Sequence, residues 1–154
     1  MNKLIFPFLL LLLASCNDKV LFDENREIEE MSWSLTNLKS FTYQVEDTLT
    51  PCNFYLNIRH SEDYAFSNLY LFMRTDFPNG EAARDTMEFV LQDNDGKWKG
   101  SGAGTIRDNS ILFKKNLRFP LKGEYKFTLE QAMRETDLKG ISEIGLRIEK
   151  YQAP

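Results

Sequence analysis

Apolar side chains recur at every second position over most of this chain, and that period suits strands. Phe41, Tyr43 and Val45 alternate with Thr42 and Gln44, and Phe54, Leu56 and Ile58 alternate with Tyr55, Asn57 and Arg59. Leu69, Leu71 and Met73 form one face, opposed by Tyr70, Phe72 and Arg74. Met87, Phe89 and Leu91 repeat the pattern, as do Tyr125, Phe127 and Leu129, then Ile144, Leu146 and Ile148. Successive strand side chains point to opposite faces, so each run reads as a half-buried strand. Twelve Phe, six Tyr and two Trp supply the aromatic residues that sheets favour.

Turn signals separate the runs. Asn79-Gly80 after Phe77-Pro78 tolerates positive φ, and Asp95-Gly96 and Asp108-Asn109 are two more such points. The glycine-heavy stretch from Gly96 to Gly104 reads as a strand with a close neighbour or a bulge, not a flexible linker. One short helix is expected near 129–136, where Glu130 and Arg134 stand four apart and Gly140 lies beyond as a stop. Eight or nine short strands without βα units predict an all-β chain folded as an antiparallel β-sandwich, jelly-roll-like.

The N-terminus is of another kind. Lys3 precedes an apolar stretch from Leu4 to Ala14, too short for the ~20 residues that span a bilayer as a helix. It has the charged-then-apolar layout of a secretory signal. It ends in Leu13-Ala14-Ser15-Cys16, the pattern of a bacterial lipobox, in which the Cys16 thiolate accepts a diacylglycerol and cleavage precedes it. An ordinary signal with an incidental cysteine is the plainer alternative, but the cysteine sits just where cleavage is expected. Residues 1–15 are therefore a lipoprotein signal peptide, 16–29 the lipidated cysteine and tether, and 30–154 one sandwich domain. Within the tether, 20–23 could form a first edge strand.

Two or three acyl chains on one cysteine make attachment effectively permanent, where one gives only marginal binding. Loss of Lys3 leaves 18 basic against 23 acidic side chains, a net charge of −5. Nothing in that balance seeks nucleic acid or anionic head groups.

The residues offer little catalytic chemistry. Gly100 and Gly102 are followed by Thr105, so the dinucleotide fingerprint fails. Asp93-Asn94-Asp95-Gly96 would match part of a calcium loop, but Leu91 and Gly102 then occupy two ligand positions, and an Asp-Gly turn explains the same residues. His60 is the only histidine, which excludes Cys/His zinc sites, and it reads as an exposed residue of a polar loop. Cys52, the one cysteine besides Cys16, reads as a small buried hydrophobe at a strand start, with a reactive thiol as the alternative. No enzyme, cofactor or metal is expected. Tyr55, Tyr70 and Phe72 fall on the polar faces of their strands, and Trp98 lies in the glycine-rich stretch. They could contact a partner protein or stack on a glycan. Alternatively, the sandwich's own loops cover them.

Several longer segments carry a resemblance. Phe54-Tyr55-Leu56-Asn57-Ile58-Arg59, Ser67-Asn68-Leu69-Tyr70-Leu71-Phe72 and Phe77-Pro78-Asn79-Gly80 occur in order, followed by Asp85-Thr86-Met87-Glu88-Phe89-Val90-Leu91, Asp95-Gly96-Lys97-Trp98 and Gly100-Ser101-Gly102-Ala103-Gly104. Glu130-Gln131-Ala132-Met133-Arg134 and the run from Gly140 to Lys150 close the series. With the lipobox, these segments resemble the gliding-motility lipoprotein GldH family of Bacteroidetes over nearly the whole mature chain. The resemblance implies a non-enzymatic envelope lipoprotein that resides on the outer membrane and works with other gliding proteins. It assigns no catalytic residue, and only Cys16 takes a role, as the lipidated position. The rival reading is a glycan-binding surface lipoprotein that uses the exposed aromatics.

Overall fold

A computed structural model describes residues 19–153. The expected signal peptide, the expected lipidation site Cys16 and the start of the expected tether lie outside the described residues. Ten strands follow in order: β1 Val20–Glu27, β2 Ser32–Ser34, β3 Lys39–Val45, β4 Cys52–Ser61, β5 Asn68–Asp76, β6 Ala82–Val90, β7 Ile106–Leu117, β8 Gly123–Gln131, β9 Asp137–Lys139 and β10 Ile141–Lys150. A 3-10 turn at Glu29–Met31 joins β1 to β2.

The pairing is nested. β1 pairs with β10, β2 with β9, β3 with β8, β4 with β7 and β5 with β6, all antiparallel. The chain is thus one long hairpin whose tip is the turn at Phe77–Gly80. There Gly80 takes φ +85° and donates to the Phe77 carbonyl at 3.0 Å. The hairpin rolls up where β10 meets β4 and β8 meets β5. Rolling gives two four-stranded sheets, β1-β10-β4-β7 and β3-β8-β5-β6, with the short β2-β9 pair beside them. With that short pair set aside, this is the strand order of a jelly roll.

Period-two alternation places the core between the sheets. Leu56, Ile144, Leu146 and Ile148 from the first sheet, and Leu69, Leu71 and Leu129 from the second, are all buried. Each such side chain contributes about 1.5–3 kcal/mol over its exposed state. Trp33 on β2 plugs the side of the roll, its ring buried and its Nε1 donating to the Asn37 carbonyl at 2.8 Å. Cys52 is buried at the start of β4, as the sequence suggests, and burial and then nearby Asp47 push its thiol pKa up.

Three expectations need correction. No helix forms at 129–136. Tyr125, Phe127, Leu129 and Gln131 alternate inward along β8, which pairs on both sides, with Leu129 opposite Lys39 and Met73. A helix would turn half of that row away from the core. Glu130 instead reaches Arg84 on β6 at 3.2 Å, and buried Gln131 shapes the following turn by accepting from the Met133 N–H and donating to the Glu135 carbonyl. The tether reading of 16–29 is too long, because residues 20–27 form β1, paired with β10 over the whole strand. His60 is not an exposed loop residue. It belongs to β4, faces inward and is 0% exposed.

Candidate functional site

Apart from His60, the inward residues of β4 and β10 are apolar, and the alternate positions turn outward and make a polar face. Register fixes that face in rows across β1, β10, β4 and β7. One row holds Glu27, Glu143, Arg59 and Asp108, the next Asn25, Gly145, Asn57 and Ser110, and the third Asp23, Arg147, Tyr55 and Leu112. Gly145 sits in the middle of the array and carries no side chain. A Cβ there would lie 1.8 Å from Asn25 Oδ1 and 2.7 Å from the Glu24 carbonyl oxygen. Glycine inside a strand marks such a close approach.

The Asn25 amide lies over Gly145, and beside it a groove of about 230 Å³ is lined by Asn25, Asn57, Arg59, Asp108, Ser110 and Glu143 with Ser101 at its edge. Its polar groups hold one another in place. Ser110 Oγ donates to Asn57 Oδ1 at 2.9 Å, and Asn57 Nδ2 donates to Asp23 at 3.0 Å and to Asn25 Oδ1 at 3.1 Å. Arg59 is clamped between Asp108, at 2.5 Å, and Glu143. Arg147 bridges Asp23 and Glu149. Glu149 is itself buried, which raises its carboxyl pKa, yet hydrogen bonds from Lys19 and Arg147 outweigh burial and hold it below the usual carboxylate range.

The structure does not bring the four sequence-predicted aromatics together. Tyr55 lies on this polar face, one row from Asn57. Tyr70 and Phe72 lie on the outer face of the other sheet, Tyr70 38% exposed and Phe72 under the Arg84 guanidinium at 4.1 Å. Trp98 turns inward, with its ring 4.8 Å from that of His60. A glycine-rich stretch has no alternation to orient it, so the sequence does not show which way Trp98 faces. Asn25, Asn57 and Ser110, which line the groove, and Gly145 beside them were not singled out from the sequence. The available signal was a glycine at an outward position of the last strand.

A second polar feature closes one end of the roll. His60 Nδ1 faces the Ser61 carbonyl at 2.9 Å, while His60 Nε2 and Asn109 Nδ2 are the buried side-chain atoms without a partner among the described residues. The two are diagonal neighbours on β4 and β7, since Arg107 pairs with His60 and Asn109 with Ile58. Trp98 and the glycine-rich strap cover them. Ser101 and Asp108 exchange backbone hydrogen bonds of 2.9 and 2.6 Å, so the strap follows the β7 edge closely. That approach needs Gly100 and Gly102, whose Cβ atoms would fall 2.4 Å from the Asp108 and 2.3 Å from the Ile106 carbonyl oxygens. Burial lowers the His60 pKa from its ordinary 6.5. Among the described residues, no group of three or more His, Cys, Asp or Glu side chains is placed to hold a metal ion.

Comparison with known proteins adds identity to this geometry. The model of a family described as GldH lipoprotein matches residues 20–148. A gliding motility lipoprotein GldH homolog from Christiangramia forsetii is 35% identical over 153 residues, 95% of this chain and 93% of that protein. The gliding motility lipoprotein GldH of Flavobacterium johnsoniae is 31% identical over 97% of this chain and 96% of its own length. Among solved structures, dimeric latent PorU from Porphyromonas gingivalis is similar at 12% identity and a TM-score of 0.33, over 86% of this chain. The chain spans only 13% of that protein, a likeness too partial to carry an argument.

Proposed function

This chain belongs to the GldH lipoprotein family, and on that premise we propose that it is a non-enzymatic, lipid-anchored component of the envelope machinery for gliding, held to the outer membrane through acyl chains on Cys16. The observation that carries this reading is the family match across the whole sandwich, joined to a lipobox that ends four residues before β1. At ~3.3–3.6 Å per residue, the link from Cys16 to Val20 reaches about 14 Å at most. The sandwich then rides against the membrane with the start of β1 lowest. Glu27, at the other end of β1, and the row it begins stand farthest away. The polar face is thereby held out where partners can reach it.

Cross-linked pull-down of the tagged protein from intact membranes, read by mass spectrometry, tests this proposal. Wild type is expected to recover other envelope lipoproteins or gliding proteins, and Cys16→Ala is expected to lose both membrane attachment and those neighbours. Attachment that survives Cys16→Ala would contradict the anchor, and the same recovered set from both proteins would contradict the anchored complex.

A further inference from the structure

Resting on the reading of Cys16 as the anchor, we propose that the end of the roll where β1 begins is a membrane-docking surface that seats exposed leucines among phospholipid head groups. Leu49 in the β3–β4 loop, Leu117 at the end of β7 and Leu121 in the β7–β8 loop are 80%, 45% and 37% exposed. Register brings them to one end. Cys52 pairs with Lys150 and Leu117, Val45 pairs with Gly123, and Val20 pairs with Glu149. Hydrogen bonds tie that end into one surface. The Lys150 N–H donates to the Lys19 carbonyl at 2.8 Å, the Tyr151 N–H to the Pro51 carbonyl at 2.8 Å, and Arg118 Nε to the Leu49 carbonyl at 2.7 Å. The Asp47 carboxylate accepts from the Leu49 and Thr50 N–H groups at 2.7 and 3.2 Å, so a fixed turn presents Leu49 to solvent.

The tether names the occupant. Cys16 stands three residues before Lys19. At ~3.3–3.6 Å per residue that link spans about 11 Å at most, and a head-group layer is itself about 5–8 Å deep. Acyl chains on Cys16 would therefore hold this end in or against that layer, where a folded partner has little room. The side chains around the leucines suit the same place. Lys115, Arg118, Lys122 and Lys150 stand there against Glu46, Asp47 and Glu124. Long basic side chains lay their stems along apolar surface and carry their charge to phosphate, while leucines sink into the head-group boundary. Exposure alone would not choose this end, because Leu38 is 51% exposed at the opposite end of β3. Leu38 lies beyond the reach of the tether.

The test uses the full lipidated chain in vesicles of phosphatidylethanolamine and phosphatidylglycerol. Nitroxide labels are placed one at a time on Leu49→Cys, Leu121→Cys and Leu38→Cys, and their spin relaxation is read with oxygen, which enters lipid, and with a nickel chelate, which stays in water. Labels at 49 and 121 are expected to favour oxygen at least about threefold more than the label at 38. Lys115→Glu combined with Lys122→Glu is expected to reduce that preference. Equal water contact at all three labels would overturn the proposal. So would shielding at 49 and 121 that persists in detergent and comes with spin–spin broadening, since a second copy would then cover the leucines. Intact mass of the same sample separates this proposal from the anchor. Acylated Cys16 with labels 49 and 121 in water overturns the docking alone, and unacylated Cys16 removes the anchor and the docking with it.

Discussion

The two sheets of this roll are alike inside and unlike outside. Inward, each presents a row of leucine and isoleucine or aromatic side chains to the same core. Outward, the second sheet is a covered surface. Arg84 lies over Phe72 and reaches Glu130, Ser40 meets Thr128 at 3.1 Å, and Arg74 pairs with Asp76 at 2.7 Å. The central strands there carry a side chain at every outward position from Glu124 to Glu130 and from Asn68 to Asp76. The first sheet has Gly145 in its centre, the Asn25 amide packed over it and a groove beside it among short polar side chains. Both faces are polar, so polarity alone does not separate them. The groove among the short amide and hydroxyl side chains of the first sheet does.

The comparison can be broken or sharpened by substitution. The largest expected effects lie beneath both faces and should match. Leu56→Ala in β4 and Leu71→Ala in β5, each at a fully buried site, are expected to lose about 2–5 kcal/mol in urea denaturation. A large loss from only one of them would show that the sheets do not share one core. Next comes Gly145→Ala, which forces a Cβ against Asn25 and the Glu24 backbone. Overpacking of that kind costs about 1–3 kcal/mol, and hydrogen exchange should locate the loosening in β1.

Acid sensitivity should also reside with the first sheet. His60 on β4 is buried and its pKa is lowered, chiefly by burial, so the unfolded chain binds a proton more readily than the folded one. The stabilising contribution of the neutral ring is present above the ordinary value of 6.5 and is lost as pH falls from there toward the folded value. Thermal melting is expected to show a falling midpoint over that window, and His60→Phe to flatten it. A pH-independent midpoint in the wild type would contradict the assignment. Smallest are the surface ion pairs. Arg59→Ala and Arg84→Ala each remove partly exposed pairs and should change stability by less than about 1 kcal/mol.

Much of the fold was legible because burial has a period. Leu56, Leu71, Leu129 and Leu146 each stand two residues from other core positions, and the Asn-Gly turn at the hairpin tip announces itself. What misled was local signal without tertiary context. The Glu130 and Arg134 spacing suits a helix, but β8 is pinned between β3 and β5, and pairing on both edges outweighs a weak helical preference. His60 sits in a run of charged residues, yet its place on β4 follows Phe54, Leu56 and Ile58 at the same parity, which points it inward. The groove was hidden for another reason. Asn25, Asn57 and Ser110 lie far apart in sequence and become neighbours only when the hairpin rolls and β10 enters between β1 and β4.

The central claim is that an anchored jelly roll works through its first-sheet face. It is tested most directly by complementation in a gliding bacterium that lacks its own family member, read as colony spreading at matched protein levels. Wild type and Arg84→Ala are expected to restore spreading, and Cys16→Ala and Asn57→Ala to fail. Full spreading with Asn57→Ala and none with Arg84→Ala would contradict the account and move the working surface to the other sheet.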